Sequence, residues 1–374
     1  MPRYLTCCLL LGVSIAAWTA TRPEELPFAK HTIDLGSNEA CAVADINGDK
    51  LLDIVSGENW YEAPKWVKHK FRSIGYSNYY IDNFSDLPVD VDGDGRVDIV
   101  SGSYFSKRIS WFKNTPKGDW PENIIDQGFS NEFMFLVDLN NDGKALEILT
   151  QAAPNSTPLA WYELEKGAWK KHVVSPQSYG HGIGAGDVNG DKRTDILTPK
   201  GWFEAPSDPR NGQWTWHADW DSKEALGFIY AYDVNADGKP DVVSSHAHDY
   251  GVFWMERGEG NTWTKRMIDD SWSQPHAMTL ADLNQDGRVD LITGKRYMAH
   301  NGRDPGEREP LGIYWFEYIP GPKIEWVKHV VDYGTRTGGG MQIPVVDLEG
   351  DGDRDFVVAG KSGLFVFENL SKRK

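Results

Sequence analysis

The sequence predicts an all-β fold, a seven-bladed β-propeller, on three observations. An acidic segment of the form DxNxDGxxD recurs seven times along 374 residues. Each copy is followed by an apolar run and then an aromatic one. The two ends of the chain supply complementary parts of one unit. Self-similarity at a period of this size is the signature of a repeat architecture.

The acidic segments start at Asp45 (DINGDKLLD), Asp90 (DVDGDGRVD), Asp138 (DLNNDGKALE), Asp187 (DVNGDKRTD), Asp233 (DVNADGKPD), Asp282 (DLNQDGRVD) and Asp347 (DLEGDGDRD). Their spacings of 45, 48, 49, 46, 49 and 65 residues each accommodate four short strands. Strand A ends in the acidic turn, and strand B follows it (DIVSG, DLITG). Strand C is aromatic (NWYEAP, GWFEAP, YWFEY). Strand D carries Trp and often His three residues later (WVKHKF, WKKHVV, WTWHAD, WVKHVV). FAKHTID, from Phe28, reads as a strand D without A–C, and GLFVFENL, from Gly363, as a strand C without D. Pairing the N-terminal strand D with this C-terminal blade would close the ring and remove exposed sheet edges.

Residues 1–20 read as a secretory signal peptide, with one early arginine and an apolar run from Leu9 to Trp18 too short to span a bilayer. The expected product is a single propeller domain over 21–374, secreted or periplasmic, without membrane insertion. Of three cysteines only Cys41 then remains, so no intramolecular disulfide is available. Packing and ions must supply the stability. A net charge of −16 argues against nucleic acid as a partner.

That charge has a local origin. In DxNxDGxxD the side chains at positions 1, 3, 5 and 9 can converge on one hard cation, glycine at 6 permits the bend, and all-oxygen ligation suits structural Ca²⁺. Six turns are complete: Asp45, Asn47, Asp49 and Asp53; Asp90, Asp92, Asp94 and Asp98; Asp187, Asn189, Asp191 and Asp195; Asp233, Asn235, Asp237 and Asp241; Asp282, Asn284, Asp286 and Asp290; Asp347, Glu349, Asp351 and Asp355. The third is defective, with Leu146 at position 9 and Glu147 one residue late. Six Ca²⁺ would add 12 positive charges and bring −16 to −4.

Residues that recur in register belong to the scaffold. Of 16 tryptophans, six open C strands and six open D strands; apart from Trp18 and Trp216, this leaves Trp220 and Trp272. Of ten histidines, His31, His69, His172, His217 and His329 share the strand-D slot, leaving His181, His246, His248, His276 and His300. Up-and-down connectivity places all seven leftovers on the face opposite the acidic turns. His181 and His276 stand six residues before the first Asp of their turns, where strand A begins at the mouth of the central channel. Glu132 occupies the same slot. Imidazoles with a carboxylate suit Zn²⁺ or a similar transition metal. The expected ligands are His181, His246 and His276, with Glu132 and His248 as further additions. Lys200, Lys295, Arg296, Tyr297 and Tyr179 could add acid–base or polar groups.

The repeats resemble the FG-GAP/VCBS calcium-loop propellers. GHGIGAGDVNGDKRTDILTPKGWFEAP and QPHAMTLADLNQDGRVDLITGKRYMAH further resemble the propeller of aldos-2-ulose dehydratases, whose cupin and lectin domains have no counterpart in these residues. That resemblance implies a propeller-borne zinc that engages a keto-sugar such as 1,5-anhydrofructose or a 3-keto-glycoside. The implied activity is that of a carbon–oxygen lyase, a dehydratase working by β-elimination. Tyr297, His248 or Lys295 would act as catalytic groups. Trp220, Trp272, His300 and Arg296 would contact a carbohydrate substrate. Two alternatives stay open: a non-catalytic calcium-stabilised propeller binding glycans or proteins, and a polysaccharide lyase on the same fold.

Overall fold

The computed structural model describes residues 24–152 and 158–372. The expected signal peptide, residues 1–20, lies outside them. The protein is an all-β propeller whose described residues contain no α-helix, only a short 3-10 turn at Glu259–Asn261. Five four-stranded sheets stand as separate blades, carrying the turns that begin at Asp45, Asp90, Asp138, Asp282 and Asp347. In the last of these, Phe28–Asp34 pairs antiparallel with Gly363–Asn369, so both ends of the chain contribute to one sheet.

The Asp187 and Asp233 repeats depart from the expectation of seven separate blades. They form one eight-stranded sheet, in which Ile183–Ala185 pairs in parallel with Phe228–Tyr230. The sequence GHGIGAG is the cause. A Cβ on Gly184 would lie 1.6 Å from the Ile229 carbonyl oxygen, and one on Gly182 2.5 Å from that of Leu226. Glycine lets two backbones approach where any side chain would hold them apart.

The repeated residues build the scaffold. Trp60 stacks on His69 across strands C and D, as do Trp161 on His172, Trp202 on His217 and Trp315 on His329, with ring centroids 4.1–4.3 Å apart. Each histidine also bonds a glutamate at the end of strand C: Glu62, Glu163, Glu204 and Glu317. These pairs cover large aromatic faces while satisfying the polar ring edge. Apolar clusters fill the space between neighbouring sheets; Val243 and Trp254, for example, pack with Met278, Leu291 and Tyr314 of the next repeat. The A strands of six repeats line a shared cavity of about 320 Å³, the central channel.

In the acidic turns, the position-9 aspartate is a staple. In the Asp187 turn, Asp195 Oδ2 accepts the Val188 N–H at 2.9 Å and Oδ1 accepts the Ala205 N–H at 2.8 Å, tying the turn to the end of strand C. Asp53, Asp98, Asp241, Asp290 and Asp355 do the same. Glu147 rescues the third turn, its longer side chain reaching the Leu139 N–H at 3.0 Å. Position 1 accepts N–H groups within its own turn, as Asp45 does from Gly48, Asp49 and Lys50. Among the described residues, one turn brings three carboxylates within 4.8 Å of one another, through Asp90, Asp92 and Asp98. Burial and neighbouring carboxylates push Asp195 and Asp290 up to about 7. Such crowding of negative charge is what a hard cation relieves, so the donor set fits Ca²⁺.

Candidate metal centre at the channel mouth

The slot six residues before each acidic turn holds Glu39, Phe84, Glu132, His181, Gly227, His276 and Met341. At Gly227 there is no side chain, and a Cβ there would lie 2.8 Å from the His276 carbonyl oxygen. The same repeat supplies an imidazole from its B–C loop instead: His248 reaches between His181 and His276, the slot residues of the flanking repeats, with ring centroids 4.7 and 5.2 Å away. Glu132, His181, His248 and His276 each bring one ligand atom into a group spanning no more than 4.8 Å.

The hydrogen bonds fix the imidazole tautomers. His181 Nδ1–H donates to the Leu226 carbonyl at 2.8 Å, since that oxygen can only accept. His248 Nδ1–H donates to Asp304 Oδ2 at 3.0 Å. Both Nε2 atoms therefore present lone pairs to the centre, yet they lie 3.1 Å from each other, with Glu132 Oε2 3.2 Å from that of His181. Three electron-rich atoms at this separation repel unless a cation or a proton lies among them. His276 is fully buried, its Nε2 sits 3.3 Å from Glu132 Oε1 without hydrogen-bond alignment, and neither ring nitrogen has a partner. Buried polar atoms are ordinarily paired, and an unpaired imidazole beside three further donor groups is explained by an ion or a water among them. Three imidazole nitrogens and one carboxylate, with second-row bonds from Leu226 and Asp304 holding the rings, fit Zn²⁺ or a similar transition metal.

Electrostatics agree with that fit. Burial drives the His248 imidazole down to about 4 and holds that of His276 well below its ordinary value, which keeps both in the neutral, ligating form. Burial opposes ionisation of Glu132, but His181, His276 and Arg296 together hold its carboxyl well below the usual carboxylate range. The Arg296 guanidinium donates to Glu39 at 2.6 and 3.1 Å and to Glu132 at 3.1 Å. Glu39, Glu132 and Asp304 set against Arg296 leave two negative charges, which one divalent ion offsets.

A cavity of about 390 Å³ opens over this group. Tyr80, Phe84, Tyr104 and Phe105 form one wall, the exposed Asn78 and His300 lie at the rim, and buried Arg296 also lines it. His300 stacks on His248 at 4.3 Å, and its Nδ1–H donates to Asp304 Oδ1 at 2.8 Å.

Several sequence expectations are relocated. His246 lies outside the cluster: its Nδ1–H donates to Tyr250 O at 2.8 Å and its Nε2 accepts from Lys265 Nζ at 2.7 Å. His248, expected as a catalytic group or a further ligand, stands in the cluster with Glu132, His181 and His276. Trp220 is buried with its indole N–H on Thr198 O, and Trp272 is buried against Tyr314, so neither offers a face to a sugar. Lys295 is fully buried and donates to the Ser273 carbonyl at 3.2 Å, while half-buried Tyr297 does not line the cavity. The aromatic wall was missed, although YSNYYIDNF and SYFSK are aromatic-dense segments outside the repeated pattern. Glu39 was missed despite sharing the slot of Glu132.

The fold and this site define a β-propeller with FG-GAP-like repeats. A profile of the FG-GAP-like repeat matches residues 90–150 and 233–293. No curated protein sequence matches the chain. Among solved structures, BBS1N in complex with ARL6DN, soaked with mercury, superposes with a TM-score of 0.59 at 11% identity, over 93% of this chain and 98% of that one. Its lead-soaked counterpart gives 0.55 at 11% identity, over 94% and 99%. Luciferin-regenerating enzyme gives 0.47 at 8% identity, over 92% and 96%. These likenesses establish the architecture alone.

Proposed function

We propose that the protein is an exported, zinc-dependent carbohydrate lyase that dehydrates a keto-sugar by β-elimination. On this reading it is a seven-bladed propeller, with the eight-stranded sheet counted as two fused blades, stiffened by Ca²⁺ in its acidic turns. The observation that carries the reading is the convergence of two Nε2 lone pairs 3.1 Å apart with Glu132 and the unpaired His276, under a cavity with an aromatic wall.

Glu132, His181, His248 and His276 would hold the zinc. Bound there, it would supply Lewis acidity to a ketone and acidify the neighbouring C–H. Tyr80, Phe84, Tyr104 and Phe105 exclude water, and the half-buried rings of Tyr104 and Phe105 would meet a pyranose ring there. His300, oriented through Nδ1 by Asp304, leaves Nε2 free to take the carbon-bound proton. The C–H electron pair becomes the new C=C bond, and the β-hydroxyl leaves as water with the proton that His300 has taken from carbon. Arg296 is a positioning residue that keeps Glu132 ionised and fixed.

Metal analysis of protein purified without chelators tests the reading, followed by ultraviolet assay with 1,5-anhydrofructose and 3-keto-glucosides. About one zinc per chain, its loss in the His181→Ala/His276→Ala double variant, and an enone absorbance dependent on the metal are the expected results. Zinc without an enone from any keto-sugar would reduce the protein to a binding module. A zinc-free chain that still acts would overturn the metal assignment.

A further inference from the structure

The hairpin Tyr76–Ser77/Tyr80–Ile81 interrupts the connection between the Asp45 and Asp90 blades. Its tip is the two-residue loop Asn78–Tyr79, and both residues adopt left-handed backbone conformations, with φ of 49° and 66°. Two-residue hairpin loops of this hand favour Asn-Gly, because the second position strains any residue with a Cβ. Here that position carries tyrosine, whose side chain is 68% exposed and makes no ring contact among the described residues. Packing therefore does not explain the residue. Other exposed turns share the left-handed conformation, at Lys107, Lys166 and Arg336, so what sets this tip apart is an exposed ring beside a cavity.

The tip is also part of the site. Asn78 and Tyr80, on either side of Tyr79, line the cavity above the metal ligands. Asn78 Oδ1 accepts a hydrogen bond from Asn301 Nδ2 at 3.2 Å, so the tip is tethered to the insertion that carries His300 and Asp304. Tyr76 stands exposed on the same hairpin. The cavity of about 390 Å³ falls among pockets that enclose a molecule larger than one pyranose.

We infer that Tyr79 forms an outer subsite for a second sugar ring, so the ligand of this site is a glycoside or disaccharide rather than a free monosaccharide. The inference rests on the carbohydrate reading above. The inner ring lies in the cavity against Tyr104 and Phe105, and the ring attached to it extends past Asn78 toward the exposed Tyr79. Stacking at such a position adds affinity for the longer ligand alone.

Calorimetric titration of the zinc-loaded protein tests this, using methyl glucoside against a panel of glucose disaccharides (maltose, cellobiose, laminaribiose and gentiobiose). Wild-type protein is expected to prefer at least one disaccharide, and Tyr79→Ala to reduce that preference roughly three- to tenfold. Tyr79→Trp should retain the preference. Tyr79→Gly should lose it while raising Tm, because glycine relieves the left-handed strain. Equal affinities for one and two rings in the wild type, or a preference untouched by Tyr79→Ala, would overturn the subsite and leave the metal site and its chemistry standing. Zinc content, measured on the same samples, identifies failure of the underlying reading: a zinc-free wild type that binds neither ligand removes both.

Discussion

The two faces of the propeller are built by opposite rules. On one, seven acidic turns repeat nearly the same hydrogen bonds, and every partner in the turn itself lies within about one strand's reach along the sequence. Asp187 serves Gly190, Asp191 and Lys192, and Asp195 serves Val188. On the other, the slot residue changes from repeat to repeat among Glu, Phe, His, Gly and Met. Glu132 meets His181 and His276, His181 meets His248, and Arg296 meets Glu39 from 257 residues away. Periodicity builds the frame by making each blade alike, and chemistry resides where the likeness is broken. The strand-A slot makes the point: a frame residue there would be the same in every repeat, whereas Glu132, His181 and His276 converge, Glu39 pairs with Arg296, and Gly227 leaves room for His248.

Gly184→Ala would break this comparison most severely, because it attacks both faces through one sheet. Its Cβ would meet the backbone of Ile229, which cannot move aside as a side chain would. Thermal or denaturant unfolding should show a loss of about 3 kcal/mol. The zinc expected at His181 should fall with it, since His181 is held by the Leu226 carbonyl across the same seam. Wild-type stability with full metal content would show that the two repeats need not be fused.

Asp195→Asn separates the two roles within an acidic turn. The amide can accept one of the two backbone N–H groups that Asp195 now satisfies, leaving the other buried and unpaired. The cost is about 2 kcal/mol without calcium, and larger with it, because Asp195 is also an expected ligand of that turn. Calcium added to wild-type protein should raise Tm, by about 2.7 kcal/mol of stabilisation per site at a hundredfold excess over Kd. Asp92→Asn should reduce that gain while leaving calcium-free stability nearly unchanged. A calcium-independent Tm in wild type would reduce all seven turns to hydrogen-bonded corners.

The smallest effect is the sharpest. His246→Ala removes a histidine two residues from His248 and should leave zinc content unchanged, at a stability cost of about 1 kcal/mol from the lost Tyr250 and Lys265 bonds. His248→Ala should lose the metal. If the two behaved alike, the ligand assignment at this loop would be reversed.

The frame was legible in the sequence because its signals are local. Strand alternation, the DxNxDGxxD turns and the Trp–His spacing of strands C and D each depend on neighbours within one repeat, and the structure reproduces them, including the pairing of Phe28–Asp34 with Gly363–Asn369. Subtracting that pattern also brought out Glu132, His181 and His276, since their common offset of six from the turn is a local fact. Spacing could not choose between His246 and His248: a B–C loop does not keep strand alternation, and the choice depends on the gap at Gly227. Nor could it show that Trp220 and Trp272 are buried, because an unrepeated tryptophan reads alike in a core and at a site.

What the sequence determined by itself is the propeller, its acidic turns and the face on which unrepeated residues gather. The tertiary structure alone decided that two repeats fuse, that His248 completes the cluster, and that Arg296, Glu39 and the aromatic wall join it. The physical reason is range. Turns and strands are fixed by interactions within a few residues, whereas the site is fixed by side chains whose separation in the chain says nothing about their distance once the repeats are arranged around the channel.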